Sequence, residues 1–144
     1  MRAQEELRRL ARGLHPREFA EDGLADALAA LARDAPVPVE LAVSVSGAAP
    51  ETAACAYFVC AEALANVAKY ASASQVTVSA RSDSRGVRVE VEDDGVGGAD
   101  PARGTGLQGL ADRVETIGGI LTVDSPPGRG TRVVAVIPLG AGPA

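Results

Sequence analysis

A carboxylate followed by a run of glycines is the feature of this sequence that most clearly suggests chemistry. Asp93 opens the stretch 93–98, Asp-Asp-Gly-Val-Gly-Gly, directly after the segment 87–92. That segment alternates apolar and charged residues, which predicts a half-buried strand, and glycines let a backbone approach a ligand closely. A carboxylate placed in this way can accept the exocyclic N6–H of adenine, whereas guanine would oppose it with the O6 acceptor. The alternative is a structural turn, because Asp-Asp-Gly is also a common turn composition.

Three polar residues upstream have helical spacing. Glu62, Asn66 and Lys69 are four and then three residues apart, which places them on one face of a helix. A carboxylate, an amide oxygen and an ammonium suit a hydrated Mg²⁺ and the phosphates that it bridges, because Mg²⁺ keeps several waters and takes one or two protein oxygens. The plain alternative is a solvated helix face with a Glu–Lys pair.

Two glycine motifs lie downstream. The stretch 104–109 matches the GxGxxG dinucleotide fingerprint letter for letter, but the fingerprint requires a strand immediately before it, and residues 98–103 read as a loop. We therefore predict a flexible lid that ends at a helix N-terminus, where free amides and the helix dipole receive phosphate. The stretch 128–131 is either a hairpin turn or a support of the base pocket, with the Thr131 hydroxyl near adenine.

His15 is the only histidine of the chain. Pro16 follows directly and disfavours helix at that point, whereas a phosphoacceptor needs an exposed helical position and a neighbouring group to orient its ring. We expect a structural role for His15 and no phosphoacceptor in this chain.

Composition limits the classes of protein to consider. The 144 residues are 47% hydrophobic but only 3% aromatic, and the net charge is -5. One domain with a core of Ala, Val and Leu is expected, and the negative charge argues against a nucleic-acid partner. Segments of about 20 apolar residues are absent and the N-terminus is charged, which favours a cytoplasmic domain without membrane contact. Cys55 and Cys60 are five residues apart and are expected to be small buried hydrophobes.

The spacing of apolar residues and the positions of proline and glycine predict the order of helices and strands. We expect helices at 2–15, 22–34, Pro50 to about Tyr70, and 106–117. Strands are expected at 37–45, 75–82, 86–92, 119–125 and 130–138. On the long helix, the predicted inward side chains are Ala54, Tyr57, Phe58, Ala61, Leu64, Ala65 and Ala68. Helices and strands mix without strict alternation, which favours an α+β fold, a layered α/β sandwich, over a doubly wound parallel sheet.

The four motifs together resemble the ATP-binding domain of sensor histidine kinases, in the wider gyrase, chaperone, histidine kinase and mismatch-repair ATPase superfamily. The resemblance covers about residues 16–139. Residues 62–70 resemble the N box, and the three glycine boxes of the family correspond to 93–97, 104–107 and 128–131. Two further segments, 14–28 and 106–113, are similar to the subgroup that signals to response regulators of the LuxR type.

The resemblance implies a Bergerat-type layer of helices on a mixed, mainly antiparallel sheet, with ATP and Mg²⁺ as cofactors. Asn66 would hold Mg²⁺, and Glu62 would assist as a base or hold the metal through water. Lys69 would contact phosphate and Asp93 would read adenine. The residues that would shape and close the pocket are Gly95, Gly97, Gly104, Gly106, Leu107 and Thr131. Tyr70 stands where many of the subgroup have His, which leaves its contact with phosphate open.

The resemblance also implies an activity and partners. The domain, residues 16–139, would transfer the γ-phosphate of ATP to a histidine on a dimerisation domain absent from this chain. A response regulator with a helix-turn-helix output domain would receive the phosphate. Residues 1–15 would be the end of a preceding helix or linker, and 140–144 a flexible tail. Two alternatives stay open: a serine kinase of the anti-sigma-factor type, and a nucleotide-binding regulatory module without phosphotransfer.

Overall fold

The computed structural model describes residues 23–98 and 106–139, in which three α-helices pack on a five-stranded sheet. The helices are α1 (Gly23–Asp34), α2 (Pro50–Asn66) and α3 (Leu107–Thr116). The strands are β1 (Val39–Ser44), β2 (Val76–Asp83), β3 (Gly86–Asp93), β4 (Ile120–Asp124) and β5 (Thr131–Ile137). The predicted α+β class is confirmed, and each predicted strand is present within two residues of its expected ends.

The strand order is β1-β2-β3-β5-β4, with β1 parallel to β2 and the other pairs antiparallel. The sheet is therefore mixed and mainly antiparallel, as expected. In its register Asp93 lies between Val76 on one neighbouring strand and Thr131 on the other. The start of β2, the end of β3 and the start of β5 consequently meet at one end of the sheet.

The core is aliphatic. The inward side chains of the three central strands are all buried: Val76, Val78, Ala80, Val87, Val89, Val91, Val133, Ala135 and Ile137. Helix α2 covers β3 and β5, and its alanines and cysteines are small enough to bring it close to the strands. Burial raises the pKa of the free Cys55 thiol to about 11 and that of Cys60 to about 12, so both behave as the small hydrophobes that were expected.

The end of the long helix differs from the sequence prediction. The α-helix stops at Asn66 and continues as a π-helical turn, Val67–Ala71, which ends at Ser72 with a φ of 50°. A π turn closes hydrogen bonds five residues apart and so rotates the residues that follow, relative to an α-helix. Ala68, which was expected to face inward, is exposed for this reason. Ala54 and Phe58, which lie before the π turn, were also expected to face inward and are only half-buried.

Several predictions lie outside the described residues: the helix at 2–15, His15, Gly104 and the tail 140–144. Within the ranges that are described, none of the helices is long and apolar enough to cross a membrane.

Candidate functional site

Asp93 is a buried acceptor at the end of β3. It is 7% exposed, and its Oδ1 accepts a hydrogen bond from the backbone N–H of Gly95 at 2.8 Å. Burial raises the pKa of the Asp93 carboxyl above its usual range, while the backbone amides of Gly95 and Thr131 oppose that shift. The structure therefore holds a carboxylate in a sheltered place at the end of the sheet where β2, β3 and β5 meet.

Two turns pack backbone to backbone beside Asp93. We call residues 94–98 the strand-end turn and residues 125–130 the hairpin turn. Two hydrogen bonds between backbone groups join them: Gly98 N–H to Ser125 O at 2.7 Å, and Gly128 N–H to Val96 O at 2.6 Å. Residues 125–130 connect the antiparallel strands β4 and β5, so the hairpin interpretation of 128–131 is correct. The two hydrogen bonds also place this hairpin against the turn that follows Asp93.

Glycine is required at two positions of this contact. A Cβ on Gly97 would lie 2.1 Å from the carbonyl oxygen of Pro126, and a Cβ on Gly130 would lie 2.0 Å from that of Asp93. Both glycines also have positive φ, 68° and 78°, a conformation that side chains disfavour. The close approach of the two turns is therefore available only to glycine at these positions.

Thr131 lies directly opposite Asp93 in the strand register. Its Oγ1 is 2.6 Å from the Oγ of Ser125, and either hydroxyl can donate. Ser125 is a residue that the sequence motifs did not identify. Its position in the sequence is the signal that could have identified it, because Ser125 is the first residue of the hairpin turn and Thr131 is the first residue after that turn.

The C-terminal end of α2 buries polar groups inside an otherwise apolar helix. Glu62 is 5% exposed, so the solvated-face alternative is wrong for this residue. Both side-chain polar atoms of Asn66, Oδ1 and Nδ2, are buried and have no hydrogen-bond partner within ranges 23–98 and 106–139. Leaving a buried amide group unpaired costs about 1–3 kcal/mol. A ligand that engages Asn66 would remove this cost.

The residues of α2 fit Mg²⁺. Asn66 offers an unpaired amide oxygen and Glu62 a carboxylate, which are the hard oxygen donors that Mg²⁺ prefers. Among the residues that the structure describes, three or more His, Cys, Asp or Glu side chains nowhere come together as a metal cluster. Water and phosphate oxygens would therefore complete the coordination. Lys69 lies in the π turn and is exposed, so only Glu62 and Asn66 of the predicted trio are sheltered.

Asp94 ties the strand-end turn to the segment that follows α2. Its carboxylate is exposed, yet it accepts hydrogen bonds from the backbone N–H groups of Ser74 and Gln75 at 2.8 and 3.1 Å, and from the Ser74 hydroxyl. The Ser74 hydroxyl and these two amides hold the pKa of the Asp94 carboxyl below its usual range. The sequence motifs gave Asp94 no role, because its partners lie about 20 residues away along the chain.

The start of helix α3 carries two further predicted site residues, Gly106 and Leu107. The helix begins at Leu107, after Gly106 with a φ of 85°, and this N-cap glycine has no side chain with which to cap the first amides. Leu107 is fully buried and anchors this end of the helix in the core. The guanidinium of Arg113 stacks on the ring of Phe58 at 3.9 Å and holds α3 against α2.

Six of the predicted site residues fall into two groups at one end of the domain, whereas Lys69 lies in the π turn and Gly106 and Leu107 lie at the start of α3. Asp93, Gly95, Gly97 and Thr131 form one end of the sheet, and Glu62 and Asn66 form the C-terminal end of α2, which packs on β3 and β5. The Thr52 hydroxyl, near the start of α2, donates to the carbonyl oxygen of Pro138, just past the end of β5, at 2.9 Å. The C-terminal end of α2 therefore lies toward the start of β5 and Asp93. Asp94 links the two groups through Ser74. Gly104 and the side chain of Tyr70 lie outside the described part of the chain.

Comparison with known proteins identifies the family. The family model for histidine kinase-, DNA gyrase B-, and HSP90-like ATPases matches residues 53–141. The chain belongs to this family.

Relatives within the family are sensor kinases. The oxygen sensor histidine kinase NreB of Staphylococcus carnosus is 40% identical over 87 residues, which is 58% of this chain and 25% of NreB. The signal transduction histidine-protein kinase/phosphatase UhpB of Salmonella typhimurium is 33% identical over 141 residues, 92% of this chain and 28% of UhpB. The chain thus spans between a quarter and a third of the length of these relatives.

A solved structure supports the same class. The ATP-binding domain of PrrB from Mycobacterium tuberculosis is 28% identical, with a TM-score of 0.63 over 84% of this chain and 92% of that domain. Family, relatives and fold together confirm the prediction of an ATP-binding domain of the sensor histidine kinase type.

The two turns yield a first prediction. Gly130→Ala should destabilise the domain by about 1–3 kcal/mol more than Gly128→Ala, because only the former sets a Cβ against the Asp93 backbone. The two glycines have similar positive φ, 78° and 83°, so conformational strain is matched. Urea unfolding followed by circular dichroism measures the difference. Equal destabilisation by the two variants would contradict the close packing of the turns.

Proposed function

We propose that this domain binds ATP·Mg²⁺ and transfers the γ-phosphate to a histidine on a dimerisation domain of the protein to which it belongs. The observation that carries the proposal is the unpaired, buried amide of Asn66 at the same end of the domain as the buried carboxylate of Asp93. The similarity to sensor histidine kinases supports the identity of the acceptor.

The sheet end receives the base. Asp93 accepts the N6–H of adenine, and the Thr131 hydroxyl, opposite it in the register, completes the polar contacts to the purine. Gly95 and Gly97 let the backbone of the strand-end turn approach the base. Recognition of this kind rejects guanine, because its O6 would face the Asp93 oxygen and leave a buried acceptor unpaired.

The end of α2 receives the phosphates. Asn66 would hold Mg²⁺ through its Oδ1, and Glu62 would either hold it through water or serve as the base described below. A bound Mg²⁺ would supply positive charge that neutralises the phosphates. Lys69 and the first amides of α3, after Gly104 and Gly106 of the predicted lid, contact phosphate oxygens.

Phosphoryl transfer needs positioning and electrostatic stabilisation more than covalent chemistry from the protein. The imidazole nitrogen of the acceptor attacks the γ-phosphorus as the bond to the β–γ bridging oxygen breaks and ADP leaves. Glu62, directly or through water, accepts the proton that the imidazole loses. The burial of Glu62 places this base out of bulk water.

The similarity to sensor histidine kinases also suggests the protein partners of this domain. We propose a response regulator with a helix-turn-helix output of the LuxR type, which the run 106–113 favours, in the cytoplasm where ATP is supplied. The functional unit is residues 16–139, between a preceding helix or linker and a short tail.

A phosphotransfer assay tests the reaction. With radiolabelled ATP, the chain alone should bind nucleotide but not become phosphorylated, because His15, its only histidine, is followed by Pro16. Addition of the dimerisation segment of its parent protein should produce acid-labile, base-stable phosphate on that segment. Acid-stable phosphate on a serine-bearing partner would instead identify the serine kinase. Acid-labile phosphate on the chain alone that disappears in His15→Ala would contradict the role given to His15.

Nucleotide selectivity tests the adenine site. The domain should bind ATP about 5- to 150-fold more tightly than GTP, since an unpaired buried acceptor costs about 1–3 kcal/mol. Asp93→Asn should weaken ATP binding strongly, because asparagine keeps one acceptor oxygen, which the Gly95 amide uses, and sets its NH₂ donor against the N6–H of adenine. Glu92→Gln, one residue earlier and exposed, is the matched control and should bind as the wild type does. Calorimetry that gives equal affinities for ATP and GTP would remove Asp93 from the adenine site.

A further inference from the structure

The carboxylate of Asp94 is exposed, yet it accepts three hydrogen bonds from one neighbouring segment. Its Oδ1 accepts both backbone amides, Ser74 N–H at 2.8 Å and Gln75 N–H at 3.1 Å, while its Oδ2 accepts the Ser74 hydroxyl. Hydrogen bonds to an ionised acceptor are roughly twice as strong as neutral ones. We call this set of contacts the Asp94 clamp.

The Asp94 clamp joins the two groups of site residues. On one side, Asp94 directly follows Asp93, the residue assigned to adenine. On the other, Ser74 follows the π turn that carries Lys69 and begins directly after Asn66. The chain passes between them through Ser72, whose positive φ of 50° is uncommon outside glycine. A residue in such a conformation persists where the surrounding structure holds it in place, and the Asp94 clamp lies two residues further on.

We propose that Asp94 is a positioning residue that sets the spacing between the adenine-binding end and the phosphate-binding end of the pocket. The inference rests on the proposed function and extends it to a residue without assigned contact to nucleotide. The affinity for a nucleotide that contacts both ends depends on this spacing. The affinity for a ligand that contacts only the adenine-binding end does not depend on it.

Another carboxylate provides a matched comparison. Asp83 lies at the opposite end of the β2–β3 pair, is also exposed, and accepts backbone N–H groups of Arg85 and Gly86 at 2.7 and 3.3 Å. It therefore performs a similar local task, away from the candidate site. Asp83→Ala serves as the control for the general effect of losing a turn carboxylate on the same two strands.

The experiment compares ATP·Mg²⁺ with adenosine by calorimetry or by competition. Asp94→Ala should weaken ATP·Mg²⁺ binding about tenfold and leave adenosine binding within about twofold of wild type. Asp94→Asn should restore ATP·Mg²⁺ binding to within about twofold. The Asn Oδ1 can take both backbone amides, and its Nδ2 can donate to the Ser74 oxygen. Asp83→Ala should bind both ligands as the wild type does.

Three results would overturn the positioning role. The Asp94→Ala variant could bind ATP·Mg²⁺ as tightly as the wild type does, or it could lose affinity equally for adenosine and ATP·Mg²⁺. The Asp94→Asn variant could fail to restore ATP·Mg²⁺ binding. If Asp94→Ala does not fold, Ser74→Ala is used. It removes one contact of the clamp and should selectively weaken ATP·Mg²⁺ by a smaller factor, whereas unchanged selectivity would reject the proposal. A wild-type protein that binds neither ligand would refute the proposed function itself, whereas normal wild-type binding without the Asp94 effects refutes this inference alone.

Discussion

Burial of α2 on nearly every side is the constraint on which the candidate site depends. Its alanines, cysteines and valine pack against α1, α3 and the sheet, so the Glu62 side chain and the amide group of Asn66, near its C-terminal end, are largely shielded from bulk water. Glu62 and Asn66 are therefore held in surroundings of low dielectric, where electrostatic contacts are stronger than in water and unpaired groups are costly. The same packing that stabilises the domain thus creates the polar end of the site.

The other half of the site is preorganised by backbone contacts. The strand-end turn and the hairpin turn approach each other as closely as glycine permits, and the hydrogen bonds at Gly98 and Gly128 fix that approach. Asp93 is held by an amide of its own turn and an amide of β5. Contacts formed before the ligand arrives reduce the ordering that binding would otherwise require.

Much of this arrangement follows from patterns along the chain. Alternation in 87–92 predicted β3 and the sheltered place of Asp93, because one face of the sheet is covered by helices. Pro50 predicted the start of α2. The α2 spacing predicted a shared face for Glu62 and Asn66, but the solvated-face alternative for Glu62 was wrong, because almost the whole helix surface is buried rather than one stripe.

Some features of the site depend on contacts between segments that are distant in the sequence, and the sequence patterns did not reveal them. The π turn has no clear local sequence signal, so Ala68 was placed on the wrong side. Asp94 acquires partners only because the β2–β3 register places Val76 opposite Asp93, which brings Ser74 within reach of its carboxylate. Ser125 acquires its partner through the β4–β5 hairpin. These residues become visible only when strand pairing is known.

The buried amide of Asn66 is the central element of the account, and nuclear magnetic resonance observes it directly. The side-chain NH₂ resonances of Asn66, assigned by comparison with Asn66→Asp, should move when Mg²⁺ is added to protein saturated with ADP. Adenosine should move the backbone resonance of Gly97 without this effect on Asn66. If ADP shifts Gly97 but the later addition of Mg²⁺ leaves the Asn66 amide resonances unchanged, Asn66 does not face the metal, and the account is contradicted.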